Sequence, residues 1–299
     1  MAQGIYNLLS VQEVRSLANL ALGSRFTVEG NLQGAHRSPL RGFSVEFADY
    51  RPYVSGDDLR HLDWKVMARN ERLYIRQYEE ECNLRLYLLV DASASMGYGR
   101  GDMTKLRYAS RLAASLAYVT VHQQDSVGLT VFDRRTRTQL PARSGPAHLR
   151  ELANTLAAQV PSDETDVADT LHYLAGTVHR RGLVVVLSDL LVDAARIHRA
   201  LAHFRHRKHD VIVYHILDPA ELELPFHSVS QFEDLETGER VVTSPREVRA
   251  AYARAVERFL EDSRKLCASL DVDYVLTRTD EPLTRLVHRH LNRRQKRGR

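Results

Sequence analysis

The feature that most constrains the fold is a regular alternation, over residues 83–282, of apolar segments of strand length with amphipathic segments of helix length. The run at residues 183–187 consists only of Leu and Val, which predicts a strand with both faces buried. Residues 105–123 repeat apolar side chains such as Leu106 and Leu116 on one face at helical spacing. Strands that alternate with helices predict an α/β fold with a mostly parallel sheet flanked by helices.

The same patterns predict the remaining elements of this region. We expect further strands at residues 84–90, 126–132, 210–216 and 273–277, with residues 136–140 paired beside the second of them. We also expect a hairpin within residues 218–242, with its turn at Thr237-Gly238. Ligands of open α/β sheets bind at the carboxyl ends of the strands, where the strand order reverses, so those ends are where chemistry is expected.

Charge is distributed unevenly along the 299 residues. The net charge is +4, but residues 285–299 hold seven of the 42 Lys and Arg residues and no Asp or Glu. The remainder therefore carries 35 basic against 38 acidic side chains, so the body of the chain gives no reason to expect a nucleic-acid partner. We predict three parts: an irregular or β-containing N-terminal extension (1–82), the α/β domain (83–282), and a disordered basic C-terminal tail that starts as a short helix (283–299).

The apolar runs and the cysteines indicate in which cellular compartment the protein is expected. The longest apolar runs are of strand length, whereas a membrane-spanning helix needs about 20 apolar residues. No secretory leader is visible at the N-terminus. The two cysteines, Cys82 and Cys267, form no Cys-x-x-Cys motif, which fits a reducing compartment. We therefore expect a cytoplasmic protein without a membrane span.

An oxygen-rich loop follows the first apolar strand. Its sequence is Asp91-Ala92-Ser93-Ala94-Ser95, an Asp-x-Ser-x-Ser motif placed between a strand and a helix. One carboxylate and two hydroxyls at this spacing can turn towards one point. Oxygen ligands suit a hard divalent cation such as Mg²⁺ or Mn²⁺.

This loop resembles the metal-ion-dependent adhesion site (MIDAS) of von Willebrand factor A domains. The resemblance implies a Rossmann-like fold and a site completed by a Thr from a second loop and an Asp after a later strand. Asp189 matches the late Asp, and Thr165 is the best match for the Thr, with Asp163 and Asp166 as alternatives. Such a cation, incompletely neutralised, can accept a carboxylate from a partner protein. The resemblance therefore implies a metal site of Asp91, Ser93, Ser95, Thr165 and Asp189.

Two other interpretations of the loop stay open. In the first, Ser93 and Ser95 only cap the following turn, and Asp91 is a solvated acid at a strand end. In the second, Asp91 is the nucleophile of a metal-dependent phosphohydrolase. Such enzymes usually need a second carboxylate two residues later as acid or base, and Ser93 stands at that position. We therefore predict no catalytic residues and no organic cofactor.

Residues 38–81 resemble the signature of a bacterial and archaeal family named domain of unknown function 58. The matching pieces are Gly42 to Glu46, Arg51-Pro52-Tyr53, Gly56-Asp57-Asp58-Leu59-Arg60, Leu62-Asp63-Trp64, Ala68-Arg69 and Tyr78-Glu79. Its members join this signature to a von Willebrand factor A-like domain, as the order of segments here also predicts.

The family resemblance implies a partner. Members are associated with MoxR-type AAA+ ATPases in chaperone-like assembly, remodelling or metal insertion of target proteins. The expected function is thus a non-enzymatic, metal-dependent adaptor between the ATPase and a target protein. The charged signature segment serves either as a salt-bridged collar that packs Trp64 against the sheet domain or as a docking surface. Nucleic-acid binding through the basic tail is a third, weaker alternative.

Overall fold

The structure, a computed structural model, describes residues 4–18, 20, 22, 46–53, 66–67, 73–79, 84–161 and 167–297. The backbone separates into two compact units, residues 26–84 and the remainder. In the larger unit the helices are α1 (Val11–Leu17), α2 (Lys105–His122), α3 (Pro146–Ala157), α4 (Val167–Thr177), α5 (Ala194–His206), α6 (Pro219–Glu223), α7 (Pro245–Ser269) and α8 (Leu283–Arg297).

The strands within the described residues are β1 (Glu46–Pro52), β2 (Tyr74–Glu79), β3 (Arg85–Asp91), β4 (Gly99–Arg100), β5 (Met103–Thr104), β6 (Ser126–Phe132), β7 (Thr136–Arg143), β8 (Leu183–Ser188), β9 (Asp210–Leu217), β10 (Ser230–Glu233), β11 (Arg240–Thr243) and β12 (Asp273–Arg278). Six of them form one sheet in the order β12-β9-β8-β3-β6-β7. All neighbours in it run parallel except β7, which is antiparallel to β6. The predicted mixed α/β fold with a mostly parallel sheet is confirmed.

Helices cover both faces of this sheet. On one face, α2 lies against the central strands, and α1, α3 and α8 pack beside it. On the other face, α4, α5 and α7 contribute side chains such as Leu171, Phe204 and Cys267 to a buried cluster that also contains Val184 and Val213. Strand β8 is buried at every position, as its unbroken Leu/Val run predicts.

The N-terminal residues belong to the sheet unit. A capping box starts α1: Glu13 N donates to Ser10 Oγ, and Ser10 N donates to the Glu13 carboxylate. Arg111 of α2 contacts Glu13, with 2.6 Å between Nη2 and Oε1. The predicted extension over residues 1–82 therefore differs from the observed boundary, because its first helix packs with the α/β domain.

The smaller unit contains an antiparallel pair, β1 with β2, in which Tyr50 lies opposite Arg76 and the register shifts between Phe47 and Asp49. Two pieces of the predicted signature, Arg51 to Tyr53 and Tyr78-Glu79, fall at this pair. The Gly56 to Trp64 pieces, and with them the predicted collar, lie outside the described residues.

The predicted disordered tail is corrected by the structure. Residues 283–297 form α8, and the apolar side chains Leu286, Val287 and Leu291 are buried. Arg294 is buried as well and donates to the carboxylates of Asp210 and Asp273. This basic segment is therefore an amphipathic helix, and one of its cationic side chains, that of Arg294, forms buried ion pairs.

Candidate functional site

The candidate site lies at the carboxyl ends of two adjacent central strands. Asp91 is the last residue of β3, and Asp189 follows Ser188, the last residue of β8. These strands pair in parallel, with Val90 opposite Leu187. From β3 the chain proceeds to β6 on one side, and from β8 it proceeds to β9 on the other. The strand order therefore reverses between β3 and β8, which is where ligands bind in open α/β sheets.

Asp91 is held by hydrogen bonds on both carboxylate oxygens. The backbone N of Ser93 donates to Oδ1 at 2.9 Å, and the hydroxyl of Ser188 donates to Oδ2 at 2.6 Å. The side chain is completely buried. Burial raises the pKa of Asp91 to about 7, and the nearby Asp189 carboxylate adds to the increase. Two carboxyl groups thus approach each other in a site that water hardly reaches.

The hydroxyls of the Asp-x-Ser-x-Ser motif lie together. Ser93 Oγ and Ser95 Oγ are 3.1 Å apart, and Ser95 begins a short 3-10 turn, Ser95–Gly97. We call residues 91–97 the β3 loop. The loop therefore presents two hydroxyls side by side, next to the strand end that carries Asp91.

A buried lysine connects the site to a distant part of the chain. Lys105, the first residue of α2, donates from Nζ to Asp189 Oδ2 at 2.7 Å and to Glu221 Oε1 at 2.6 Å. Its side chain is fully buried. Burial alone would lower the pKa of Lys105, but the two carboxylates outweigh that effect and raise it, so the ammonium stays charged.

Lys105, Glu221 and Ser188 are site residues that the sequence analysis missed. Ser188 is adjacent to Asp189 at the end of a predicted strand, so its position could have indicated that it belongs to the site. Lys105 and Glu221 are 116 residues apart, and no local pattern relates them.

The structure brings four of the five predicted metal ligands to one edge of the sheet. Asp91, Ser93 and Ser95 belong to the β3 loop, and Asp189 lies at the neighbouring strand end. Thr165 and its alternatives lie outside the described residues. Within the part of the chain that the structure describes, no three His, Cys, Asp or Glu side chains are grouped so that they could hold a metal ion. The predicted site thus has two carboxylates, and its other described oxygens are hydroxyls.

Comparison with protein families gives one match. Residues 49–261 match the family described as protein of unknown function DUF58. An uncharacterized protein of Mycobacterium tuberculosis strain H37Rv is 29% identical over 271 residues, which cover 89% of this chain and 84% of the relative. An uncharacterized protein of Mycobacterium avium is 31% identical over 150 residues, covering 48% of this chain and 86% of the relative.

Solved structures give distant similarities. An aerotolerance-related membrane protein from Bacteroides fragilis has a TM-score of 0.45 at 16% identity, covering 71% of this chain and 100% of that one. BatB, a conserved hypothetical protein from Bacteroides thetaiotaomicron, has a TM-score of 0.45 at 17% identity, covering 72% and 98%. A membrane spanning protein from Vibrio fischeri has a TM-score of 0.25 at 14% identity, covering 71% and 100%.

The cytoplasmic location predicted from the sequence disagrees with the descriptions of two of these neighbours. Two of them are described as membrane proteins, one as aerotolerance-related and one as membrane spanning. Among the described residues, no helix combines the length and the apolar character that crossing a membrane requires.

Proposed function

Because this chain belongs to the DUF58 family, whose members share no stated activity, we propose its function from the site: a metal-dependent module that binds other proteins. In this proposal the sheet domain is von Willebrand factor A-like, and Asp91, Ser93, Ser95 and Asp189 hold Mg²⁺ or Mn²⁺. The observation that carries the proposal is the convergence of the β3 loop and Asp189 where the strand order reverses.

The charges and donors of the site suit a divalent cation. The carboxylates of Asp189 and Glu221 share the buried ammonium of Lys105, and the buried carboxyl group of Asp91 interacts with Asp189. A further positive charge would offset the excess of carboxylates. Carboxylate and hydroxyl oxygens are ligands that Mg²⁺ accepts, and it usually retains several waters. One of those waters would be replaced by a carboxylate of the partner protein, and Thr165 stays a predicted additional ligand.

The surroundings of Asp91 favour binding over catalysis. Its side chain is buried, and both oxygens already accept hydrogen bonds. The neighbouring Ser93 offers no carboxyl group for proton transfer. These observations support a non-enzymatic role.

The partner is proposed from the family resemblance. A MoxR-type AAA+ ATPase would bind this module, which would connect it to a target protein during chaperone-like assembly or remodelling. The metal would then serve as the contact point for an Asp or Glu of the ATPase or of the target.

Metal binding is tested with Mn²⁺ followed by electron paramagnetic resonance of the free ion. We expect wild-type protein to bind one Mn²⁺ and Asp91→Asn to bind at least about tenfold more weakly, since even partners outside the ligand shell have effects of that size. The matched control is Asp102→Ala, a nearby exposed carboxylate. Equal Mn²⁺ binding by wild type and Asp91→Asn would contradict the metal site.

Partner binding is tested by capture of a MoxR-type AAA+ ATPase from the same organism. We expect capture by wild type with Mg²⁺, and loss of capture with chelator or with Asp91→Ala. Capture that is the same under all three conditions would contradict a metal-dependent contact.

The competing phosphohydrolase has a direct test. Turnover of phosphoesters is measured with and without Mg²⁺ in wild type and Asp91→Asn. We expect no turnover by either protein. Mg²⁺-dependent turnover that Asp91→Asn abolishes would replace the binding function with an enzymatic one.

A further inference from the structure

A groove of about 590 Å³ opens directly beside the β3 loop. It is lined by Ser95 and Tyr98, by α6 and Tyr252 of α7, and by the β10–β11 hairpin. We call it the hairpin groove. Its volume is within the range of about 300–1,000 Å³ that is typical of binding sites. Because Ser95 belongs to both, the groove and the β3 loop are continuous.

Much of the lining of the groove is apolar. The rings of Phe226 and Phe232 meet edge to face, with 5.6 Å between their centroids. Leu191, Leu235 and Val241 also line the groove, and each leaves close to half or more of its surface exposed. Single exposed apolar residues are ordinary, but several around one concave surface are typical of an interaction site.

The rim of the groove is acidic. Four carboxylates of the hairpin line it, Glu233, Asp234, Glu236 and Glu239, and Glu221 of α6 is a fifth. On the hairpin, the neighbouring cation is Arg240, which pairs with Glu233 at 3.1 Å between Nε and Oε2. An apolar groove with an acidic rim is complementary to an apolar segment with basic flanks.

The turn that carries this rim is well defined. Asp234 Oδ1 accepts hydrogen bonds from the backbone N of Glu236 at 2.8 Å and of Thr237 at 3.2 Å. Gly238, at φ 72°, takes the left-handed conformation that the turn needs. The carboxylates are thus presented from a fixed hairpin, which lowers the entropic cost of binding.

We propose that the hairpin groove binds a segment of a partner protein in which apolar residues are flanked by Lys or Arg. This inference rests on the proposed function and deepens it, because it names the chemistry of the partner. Apolar side chains fill the groove between Phe232 and Val241, and the basic flanks meet the hairpin carboxylates. A partner segment bound in the groove extends as far as Ser95, so the residues that follow in the partner reach the β3 loop.

The test uses a random 12-residue peptide library displayed on phage and selected on the full chain in the presence of chelator. We expect enriched peptides to combine apolar residues with Lys or Arg, and their affinity to fall with increasing salt. Synthetic copies of them should bind Val241→Lys and the double variant Glu236→Lys/Glu239→Lys about tenfold more weakly or worse. Tyr173→Lys, which changes an exposed apolar residue on α4, should bind as wild type.

Two results would overturn the proposal. One is a selection that yields no peptide, or peptides that lack basic residues or bind Val241→Lys normally. The other is self-association: if sedimentation shows a wild-type dimer that Val241→Lys converts to a monomer, a second copy of the chain covers the groove.

Failure of the groove and failure of the metal site are distinguishable. The selection in chelator makes no use of the cation, so its peptides should bind Asp91→Asn as well as wild type. If Mn²⁺ does not bind but the peptides do, the proposal for the groove holds and the proposal for the metal site fails. If Mn²⁺ binds but no peptide does, the proposal for the metal site holds and the proposal for the groove fails.

Discussion

At the scale of single residues, the buried ammonium of Lys105 is the group on which the site most depends. It is the shared partner of Asp189 and Glu221, and its side chain has no exposed surface. Removing one member of a buried ion pair leaves an uncompensated charge in a medium of low polarity. The helix that begins at Lys105 comes shortly after the β3 loop in the chain. The ammonium therefore supplies positive charge to the site and also holds the start of this helix beside it.

Lys105→Met should therefore destabilise the protein. We expect a decrease of about 3–5 kcal/mol in the free energy of unfolding, measured in urea. Arg107→Met, an exposed substitution two residues away on the same helix, is the control and should leave stability nearly unchanged. A loss below about 1 kcal/mol, as for an exposed pair, would mean that water reaches the ammonium.

His215 of β9 gives the molecule a pH dependence. Its Nδ1 lies 2.7 Å from the hydroxyl of Tyr274, and its ring packs edge to face on Phe259. Burial lowers the pKa of His215 to about 4, from the usual 6.5. Below pH 6.5 the imidazole of the unfolded chain binds a proton that the folded protein excludes, so the contribution of His215 to stability falls as the pH decreases towards 4.

The expected loss from His215 over that interval is about 3 kcal/mol. Urea unfolding between pH 7 and pH 4.5 should show it as the difference between the wild-type and His215→Phe profiles, because the raised pKa of Asp91 increases stability over the same interval in both proteins. The exposed His227 provides the control, because His227→Phe should keep the wild-type profile. Identical profiles for wild type and His215→Phe would contradict a buried neutral imidazole.

At the scale of elements, α1 is joined to the sheet domain by a few polar contacts around Glu13. That carboxylate caps its own helix and pairs with Arg111, whose Nε also donates to the carbonyl of Leu8 at 2.9 Å. His288 of α8 lies 3.1 Å, through Nε2, from the carbonyl of Ser16. Two helices that are remote in sequence thus hold α1 in place.

Glu13→Ala removes one half of the capping box, the hydrogen bond from Ser10 N, and the ion pair with Arg111. We expect a loss of about 1–2 kcal/mol, the sum of a capping contribution and a partly exposed pair. Thermal unfolding followed by circular dichroism measures it, with the exposed Gln12→Ala as control. No change in the midpoint would indicate that α1 is held by its apolar face alone.

The sequence predicted those elements whose signal is local. The unbroken apolar runs of β3 and β8, the turn at Gly238 and the Asp-x-Ser-x-Ser loop each depend on neighbouring residues, and the structure has the corresponding elements. The pairing of Lys105 with Glu221 was not predictable in this way, because it arises only when the sheet brings distant segments together. Only the start of helix α8 was predicted, because the charge of the residues that follow outweighed the spacing of the apolar side chains.

At the scale of the whole molecule, α8 completes the α/β domain. It covers α2 and α1 through buried side chains such as Leu286 and Leu291, and its last described turn reaches the sheet. There Arg294 donates to Asp210 at the start of β9 and to Asp273 at the start of β12. A helix at the end of the chain therefore neutralises two carboxylates at the edge of the central sheet.

Arg293 and Arg294 offer a direct comparison of an exposed and a buried arginine in one helix. Arg294→Met removes the partner of a fully buried carboxylate, so we expect a loss of about 3–5 kcal/mol in the free energy of unfolding. Arg293→Met should change stability by less than about 0.5 kcal/mol, as is usual at the surface. Urea unfolding of both variants distinguishes a disordered basic tail from a helix packed on the sheet domain. In a disordered tail, neither substitution would change the free energy of unfolding. In a packed helix, only Arg294→Met lowers it.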